Sequence, residues 1–177
     1  FAVLALFLMV STTSAQKVKY KDIFALLETK QYEQAEPFLK KYLKDNDDNP
    51  NAFLFMGILF QERAAKMDVL KQTLPVISTM DSSIIYFDMA LKTIDERELR
   101  KNKEYYQAYN RRDLRTGEFG VKLSDVQLDL EKRVEGLRDR SAKVKQLKEY
   151  FVVMDSMYTR SQDLFKQVQS EYPSLRQ

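Results

Sequence analysis

The chain of 177 residues contains no histidine and no cysteine. It therefore has no imidazole base, no thiolate nucleophile, no disulfide bond and none of the usual ligands for zinc or copper. Carboxylates, serines, lysines and tyrosines remain available for catalysis, but we find no catalytic spacing among them. These absences predict a protein that is not an enzyme and that carries no metal and no cofactor.

Glycine and proline are scarce, with four of each, whereas residues that favour helices are abundant. This composition predicts an all-α protein built from long helices. The 29 basic and 26 acidic residues are interleaved along the chain. Nucleic-acid binding would need the basic residues gathered on one face, so we expect no nucleic-acid partner.

Residues 1–10 are entirely apolar and are followed by small polar residues. A ten-residue helix would rise about 15 Å, roughly half of the hydrocarbon core of a bilayer. With the small residues Thr13 and Ala15, the segment resembles the end of a signal peptide that is cleaved after Ala15, with its charged start missing. We expect an exported, periplasmic protein whose mature chain has no transmembrane span. Secretion or association with the outer membrane is the alternative localisation, and a short buried apolar helix is the alternative structure.

The stretch from residue 53 to residue 94 contains two motifs separated by an insertion. The first has the spacing aromatic-x2-Met-Gly-x2-aromatic and consists of Phe53, Met56, Gly57 and Phe60. The second places Phe87 four residues after Ser83. These motifs resemble the first-helix and second-helix signatures of a tetratricopeptide repeat, except that about fourteen extra residues separate them. The resemblance implies stacked helical hairpins with a concave binding surface.

Local signals extend this pattern in both directions. Residues 19–45 read as a divergent capping hairpin, and Asn49 and Pro50 are typical of a helix start. In the insertion, residues 67–80, Pro75 is expected to interrupt any helix that crosses it. Asp81 or Ser82 would then cap the second helix of the split repeat.

The resemblance also implies which residues line the groove of the repeat. These positions hold Leu54, Ile58, Gln61 and Glu62. Because Leu54 and Ile58 are apolar, we do not expect them to grip a carboxylate. They would either bind a hydrophobic segment of a protein partner or pack on the next helix.

A second candidate site is rich in tyrosine and arginine. It comprises Tyr105, Tyr109, Arg111, Arg112 and Arg115. Arginine with tyrosine suits an anionic or sugar-like ligand, through bidentate hydrogen bonds and stacking. The alternative is a basic helix terminus with Gly117 in the left-handed cap position.

The C-terminal segment carries an apolar or aromatic residue at every seventh position, a pattern that we call the heptad stripe. Its members are Leu123, Leu130, Leu137, Val144, Phe151, Tyr158, Phe165 and Tyr172. The stripe predicts either one helix of about 73 Å or an antiparallel hairpin broken near residues 148–150. Aromatics dominate from Phe151 onward, so we expect that half to pack on further protein, with self-association through residues 123–172 as one possibility.

Three segments follow from these patterns: a signal peptide (1–15), a repeat-like helical domain (16–120) and a long amphipathic helix or hairpin (121–177). The functional expectation is a non-catalytic scaffold or adaptor that binds a protein partner in the bacterial cell envelope through its helical-repeat surface. The alternative is an envelope protein that binds a small ligand or glycan, or hydrolyses a glycan with carboxylates, through the tyrosine- and arginine-rich segment.

Overall fold

The computed structural model describes residues 19–172 and is almost entirely helical. Its elements are α1 (Tyr20–Glu28), α2 (Tyr32–Asp45), α3 (Pro50–Lys66), α4 (Thr73–Thr93), α5 (Glu96–Lys101), a 3-10 helix (Lys103–Tyr109), the strands β1 (Arg111–Arg112) and β2 (Phe119–Gly120), and α6 (Leu123–Glu171). The predicted all-α fold is confirmed. The predicted signal peptide lies outside the described residues.

The chain divides into two compact units, with the boundary between Asp45 and Asn46. In the first unit α1 and α2 form a hairpin, in which the rings of Tyr20 and Tyr42 lie 5.0 Å apart between centroids. The connecting turn places Lys30 in the left-handed region, with φ at 58°. This division differs from the predicted boundary at residue 120, because α3, α4 and α6 all belong to the second unit.

The second unit is centred on the packing of α3 against α4. Asn49 caps α3 by accepting a hydrogen bond from the N–H of Ala52, and Pro50 occupies the first helical position. Gly57 lies directly against the ring of Phe87, and the hydroxyl of Ser83 donates to the carbonyl oxygen of Gly57 over 2.7 Å. The two motifs that are far apart in sequence therefore pack against each other.

The predicted break at Pro75 is wrong. Helix α4 begins at Thr73 and runs without interruption to Thr93, so Asp81 and Ser82 lie inside it and cap nothing. Pro75 falls in the first turn, where backbone N–H groups have no intrahelical partner and a proline ring is tolerated. The insertion therefore consists of a short loop after α3 and the first two turns of α4.

Helix α6 is one helix of 49 residues, and no break occurs near residues 148–150. Its first half packs on α4 and buries one face, formed by Val126, Leu130, Val134, Leu137, Ser141 and Val144. Arg138 adds an ion pair with Asp88 of α4 at 3.3 Å. Beyond Val144 the described part of α6 has no buried residue.

Candidate functional site

In the tyrosine- and arginine-rich segment the 3-10 helix ends at Tyr109, and the arginines follow in a β-hairpin. Strands β1 and β2 pair antiparallel, with Arg111 opposite Gly120 and Arg112 opposite Phe119. Gly117 has φ at 75°, so its left-handed conformation was correctly predicted, but it lies in a hairpin turn and not at a helix cap. Short-range hydrogen bonding by the Asp113 side chain favours this turn over continuation of the helix.

The hairpin turn satisfies its own polar groups. The Asp113 carboxylate accepts hydrogen bonds from the backbone N–H groups of Arg115 and Thr116 and pairs with the ammonium of Lys122. The Lys122 hydrogen bond and these two N–H groups lower the pKa of Asp113 to about 2. In return, the hydrogen bond to Asp113 raises the pKa of Lys122. These groups stabilise the turn, and their charges are already paired.

The five residues of the predicted ligand site contact different partners. The hydroxyl of Tyr109 donates to Asp129 of α6 over 2.7 Å, and the guanidinium of Arg112 donates to the carbonyl oxygen of Gly117 over 3.2 Å. The carbonyl of Tyr105 accepts from the side chain of Asn51. Arg111 and Arg115 are exposed. The structure therefore does not bring the five together around one ligand.

Arg133 organises a polar cluster that the sequence analysis missed. Its guanidinium donates to Asp129 and to Gln61, each over 2.8 Å, and lies 5.9 Å from the centre of the Phe87 ring. Asp129 also accepts from Tyr109, so the cluster connects α3, α4, the 3-10 helix and α6. The spacing of Asp129 and Arg133, four residues apart on a helix, was the one available signal.

Burial and hydrogen bonding perturb the tyrosines of this region. Burial, followed by the hydrogen bond to Asp129, raises the pKa of Tyr109 above its usual range. Burial, followed by the charge of Glu98, raises the pKa of Tyr106 in the same direction. Both hydroxyls are therefore held protonated, and they donate hydrogen bonds to Asp129 from Tyr109 and to Glu98 from Tyr106.

The four predicted groove residues have different environments. Leu54 is buried and Ile58 is half-buried, while Gln61 bonds Arg133 and Glu62 is exposed. Gln61 and Glu62 line an open cleft of about 460 Å³ together with Arg133 and Arg140 of α6. Leu54 and Ile58 do not line this cleft.

A second open cleft, of about 730 Å³, lies beside α5 and the start of α6. Arg100, Lys103, Lys122 and Gln127 contribute to its lining. No polar side chain in either cleft is buried, and within residues 19–172 no group of three carboxylates could hold a metal ion. Neither cleft therefore shows a preorganised site for catalysis or for a small ligand.

The most unusual surface is the second half of α6 together with its C-cap residue Tyr172, residues 147–172, which we call the arm. Eleven of its large apolar side chains are exposed: Tyr150, Phe151, Val152, Val153, Met154, Met157, Tyr158, Leu164, Phe165, Val168 and Tyr172. Phe151 is 40% exposed and Tyr158 is 65% exposed, whereas Leu130, on the same heptad stripe, is fully buried. One stripe is thus covered by α4 at one end and uncovered at the other.

No helix in the described part of the chain has both the length and the apolar character that are needed to cross a bilayer. Comparison with protein-family models, curated proteins and solved structures finds no match. The fold and the arm therefore define the class: an all-α protein with a long helix that is apolar along its uncovered half.

Proposed function

We propose that this chain is a non-catalytic scaffold or adaptor that binds a protein partner through the arm. The exposed apolar stripe of the arm is the observation that carries the proposal. Contiguous apolar patches above a few hundred Å² are rare on monomeric proteins and mark interaction sites. Each large side chain moved from water into an interface contributes about 1.5–3 kcal/mol when it is fully buried.

The shape of the stripe favours a helical protein partner. The large apolar residues of the arm, apart from Val152 and Val153, all fall on three of the seven heptad positions, represented by Phe151, Met154 and Tyr150. A stripe of this width is typical of a helix that packs on other helices. It matches the recognition mode in which an amphipathic helix places its apolar face in the groove of a partner.

The charges of the arm argue against a membrane surface as the main partner. Residues 147–172 contain three basic and four acidic side chains, mixed along the helix. Helices that lie on membranes are rich in lysine and arginine, which attract anionic lipids. The balance in the arm favours a protein.

We place this activity in the cell envelope. The apolar residues 1–10 and the small residues Thr13 and Ala15 support export and cleavage before Gln16. The α3–α4 hairpin, with Gly57 packed on Phe87, is the part of the chain that resembles a tetratricopeptide repeat. In this proposal the second compact unit anchors the arm and holds it straight.

Chemical cross-linking in intact cells, followed by mass spectrometry of the envelope fraction, tests the proposal. The variant Phe151→Glu/Tyr158→Glu places two charges on the stripe and should abolish the cross-links. The matched control Ser156→Glu/Thr159→Glu adds the same charge at exposed positions outside the stripe and should retain them. Cross-links that survive in the first variant would refute the arm as the docking surface, and a mature N-terminus other than Gln16 would refute the cleavage site.

A further inference from the structure

We infer that the partner of the arm is the arm of a second copy of this chain, lying antiparallel, with Tyr158 of each copy facing Ser161 of the other. The inference rests on the proposed function of the arm as a docking surface. It adds an identified partner, an orientation and a register, each of which follows from the residues along the stripe.

The arm has an uninterrupted heptad pattern. Taking the residues of the heptad stripe as position a, position a holds Phe151, Tyr158, Phe165 and Tyr172, and position d holds Leu147, Met154, Ser161 and Val168. Three of the four d residues are apolar, and Ser161 is the small exception. The seam begins at Leu147, one turn after Val144, where burial by α4 ends.

Antiparallel packing matches large side chains with smaller ones. In antiparallel coiled coils each a residue faces a d residue of the other helix. The inferred register pairs Leu147 with Tyr172, Phe151 with Val168, Met154 with Phe165 and Tyr158 with Ser161. Every layer therefore joins an aromatic ring to a smaller side chain, as close packing requires.

Parallel packing fits the same residues poorly. Each residue would meet its own copy, so Ser161 would face Ser161 between layers of paired aromatic rings and leave a void. The flanking Lys143 would also lie beside Lys148 of the other copy, and like charges at that position repel each other. The sequence therefore favours the antiparallel orientation.

The apolar g positions support the same orientation. In an antiparallel pair g faces g, which brings Met157 against Leu164 of the second copy and Tyr150 beside Glu171. In a parallel pair g faces e, where this chain has Asp155, Gln162 and Gln169. Only the antiparallel arrangement covers the g residues Met157 and Leu164 with apolar surface.

The charges at position e disfavour one alternative register. In the inferred register Asp155 faces Gln162 of the second copy and Lys148 faces Gln169, so no like charges meet. Sliding one helix by a heptad to one of the two neighbouring antiparallel registers would place Asp155 beside its own copy. Carboxylates brought together in this way repel each other.

The aromatic surface of the arm is large enough for a stable interface between two copies. The seam from Leu147 to Tyr172 is about 39 Å long. The five exposed aromatic side chains of the arm, from Tyr150 to Tyr172, offer about 600 Å² per copy, estimated from the usual area of an aromatic residue. Two copies would bury about 1,200 Å² from these residues alone, which reaches the range of stable interfaces.

Engineered disulfides test orientation and register, because the chain has no cysteine of its own. Met154→Cys and Phe165→Cys are made separately, mixed and oxidised. The mixture should give a 154–165 disulfide, while each variant alone should not cross-link. In the inferred register residue 154 is eleven positions from its own copy, about 16 Å, and a disulfide needs Cα atoms within about 7 Å.

Light scattering coupled to size-exclusion chromatography measures the assembly directly. At roughly 100 µM, well above the dissociation constant of a micromolar complex, the chain and the Ser156→Glu/Thr159→Glu control should be dimers. The Phe151→Glu/Tyr158→Glu variant should be a monomer with an unchanged far-UV circular dichroism spectrum. If that variant loses helicity, the disulfide test with Met154→Cys and Phe165→Cys decides whether the arms pair, because these substitutions leave the charge of the stripe unaltered.

Two results would overturn the inference. Disulfides at 154–154 or 165–165 in the separate variants would show that the arms are parallel. A monomer at this concentration, with envelope cross-links that still depend on Phe151 and Tyr158, would exclude the second copy and leave the proposed function in place. If the unmodified chain forms neither a dimer nor arm-dependent cross-links in the envelope, both the inference and the proposed function are refuted.

Discussion

The contact between Gly57 and Phe87 is very close, so a substitution at Gly57 tests directly how the second unit is packed. A Cβ atom added at Gly57 would lie 2.5 Å from Cε1 and 2.9 Å from Cγ of the Phe87 ring, well inside van der Waals contact. Phe87 is fully buried and also contacts the guanidinium of Arg133, so its ring has little room to move away. We therefore expect Gly57→Ala to destabilise the protein.

The magnitude follows from two opposing effects. Replacing glycine by alanine inside a helix stabilises it by about 1 kcal/mol. Overpacking a well-filled core costs about 1–3 kcal/mol, and two ring atoms at these distances place Gly57 at the upper end of that range. The overpacking wins, and the free energy of unfolding should fall by about 1–2 kcal/mol.

Urea unfolding followed by far-UV circular dichroism measures this change. With a slope of about 2 kcal/mol per M, the midpoint should fall by about 0.5–1 M. Gly136→Ala in α6 is the matched control, because nothing lies within 4 Å of its added Cβ. That control should raise the free energy of unfolding by about 0.5–1 kcal/mol.

A double variant checks the cause. Phe87→Leu shortens the side chain that the new Cβ strikes, so Gly57→Ala/Phe87→Leu should be more stable than the sum of the single effects by at least about 0.5 kcal/mol. If Gly57→Ala stabilises the protein as Gly136→Ala does, the close approach of α3 and α4 at this point is refuted.

Two further predictions concern buried hydroxyl groups. Tyr109→Phe removes the hydrogen bond to Asp129 and should lower the free energy of unfolding by about 1 kcal/mol at neutral pH. Because burial and Asp129 raise the pKa of Tyr109 from 10.0 in the native state, the stability due to that shift is present below pH 10.0 and is lost as the pH rises further. As the pH rises from about 9 to about 11, the urea midpoint should thus fall less in Tyr109→Phe than in the unmodified chain. The fall that remains in the variant is due in part to Tyr106. Equal falls in the two proteins would contradict the assignment of this pH dependence to Tyr109. Ser141→Ala removes a buried hydroxyl that has no hydrogen-bond partner among the described residues. The variant should be more stable by about 1 kcal/mol and should therefore have a higher melting temperature. A lower melting temperature would reveal a partner for Ser141.

The sequence predicted features whose causes lie within a few residues. Asn49 and Pro50 start α3 because a capping side chain and a proline at the first position act on adjacent backbone groups. Gly117 was correctly placed in the left-handed region, since that conformation is a local property of glycine. The surrounding element was predicted less well, because a hairpin needs the pairing of residues 111–112 with 119–120.

Contacts between distant residues escaped the sequence analysis. The Arg133 cluster joins residues from four elements, and its bond to Gln61 spans 72 positions. In the sequence Arg133 follows Leu130 of the heptad stripe by three residues, at a position where coiled-coil helices usually carry an apolar residue. In the fold it is the polar end of the interface with α3 and α4, and no local pattern marks it as such.

The sequence by itself determined that residues 123–172 are helical and carry an apolar stripe, because helical periodicity is a local property of the chain. The single unbroken helix α6 was seen only in the structure. Only the tertiary structure decided which part of that stripe is covered. Helix α4 has 21 residues, about 31 Å, whereas α6 has 49 residues, about 73 Å. The shorter helix cannot cover the longer one, so the arm from residue 147 to residue 172 is left in water.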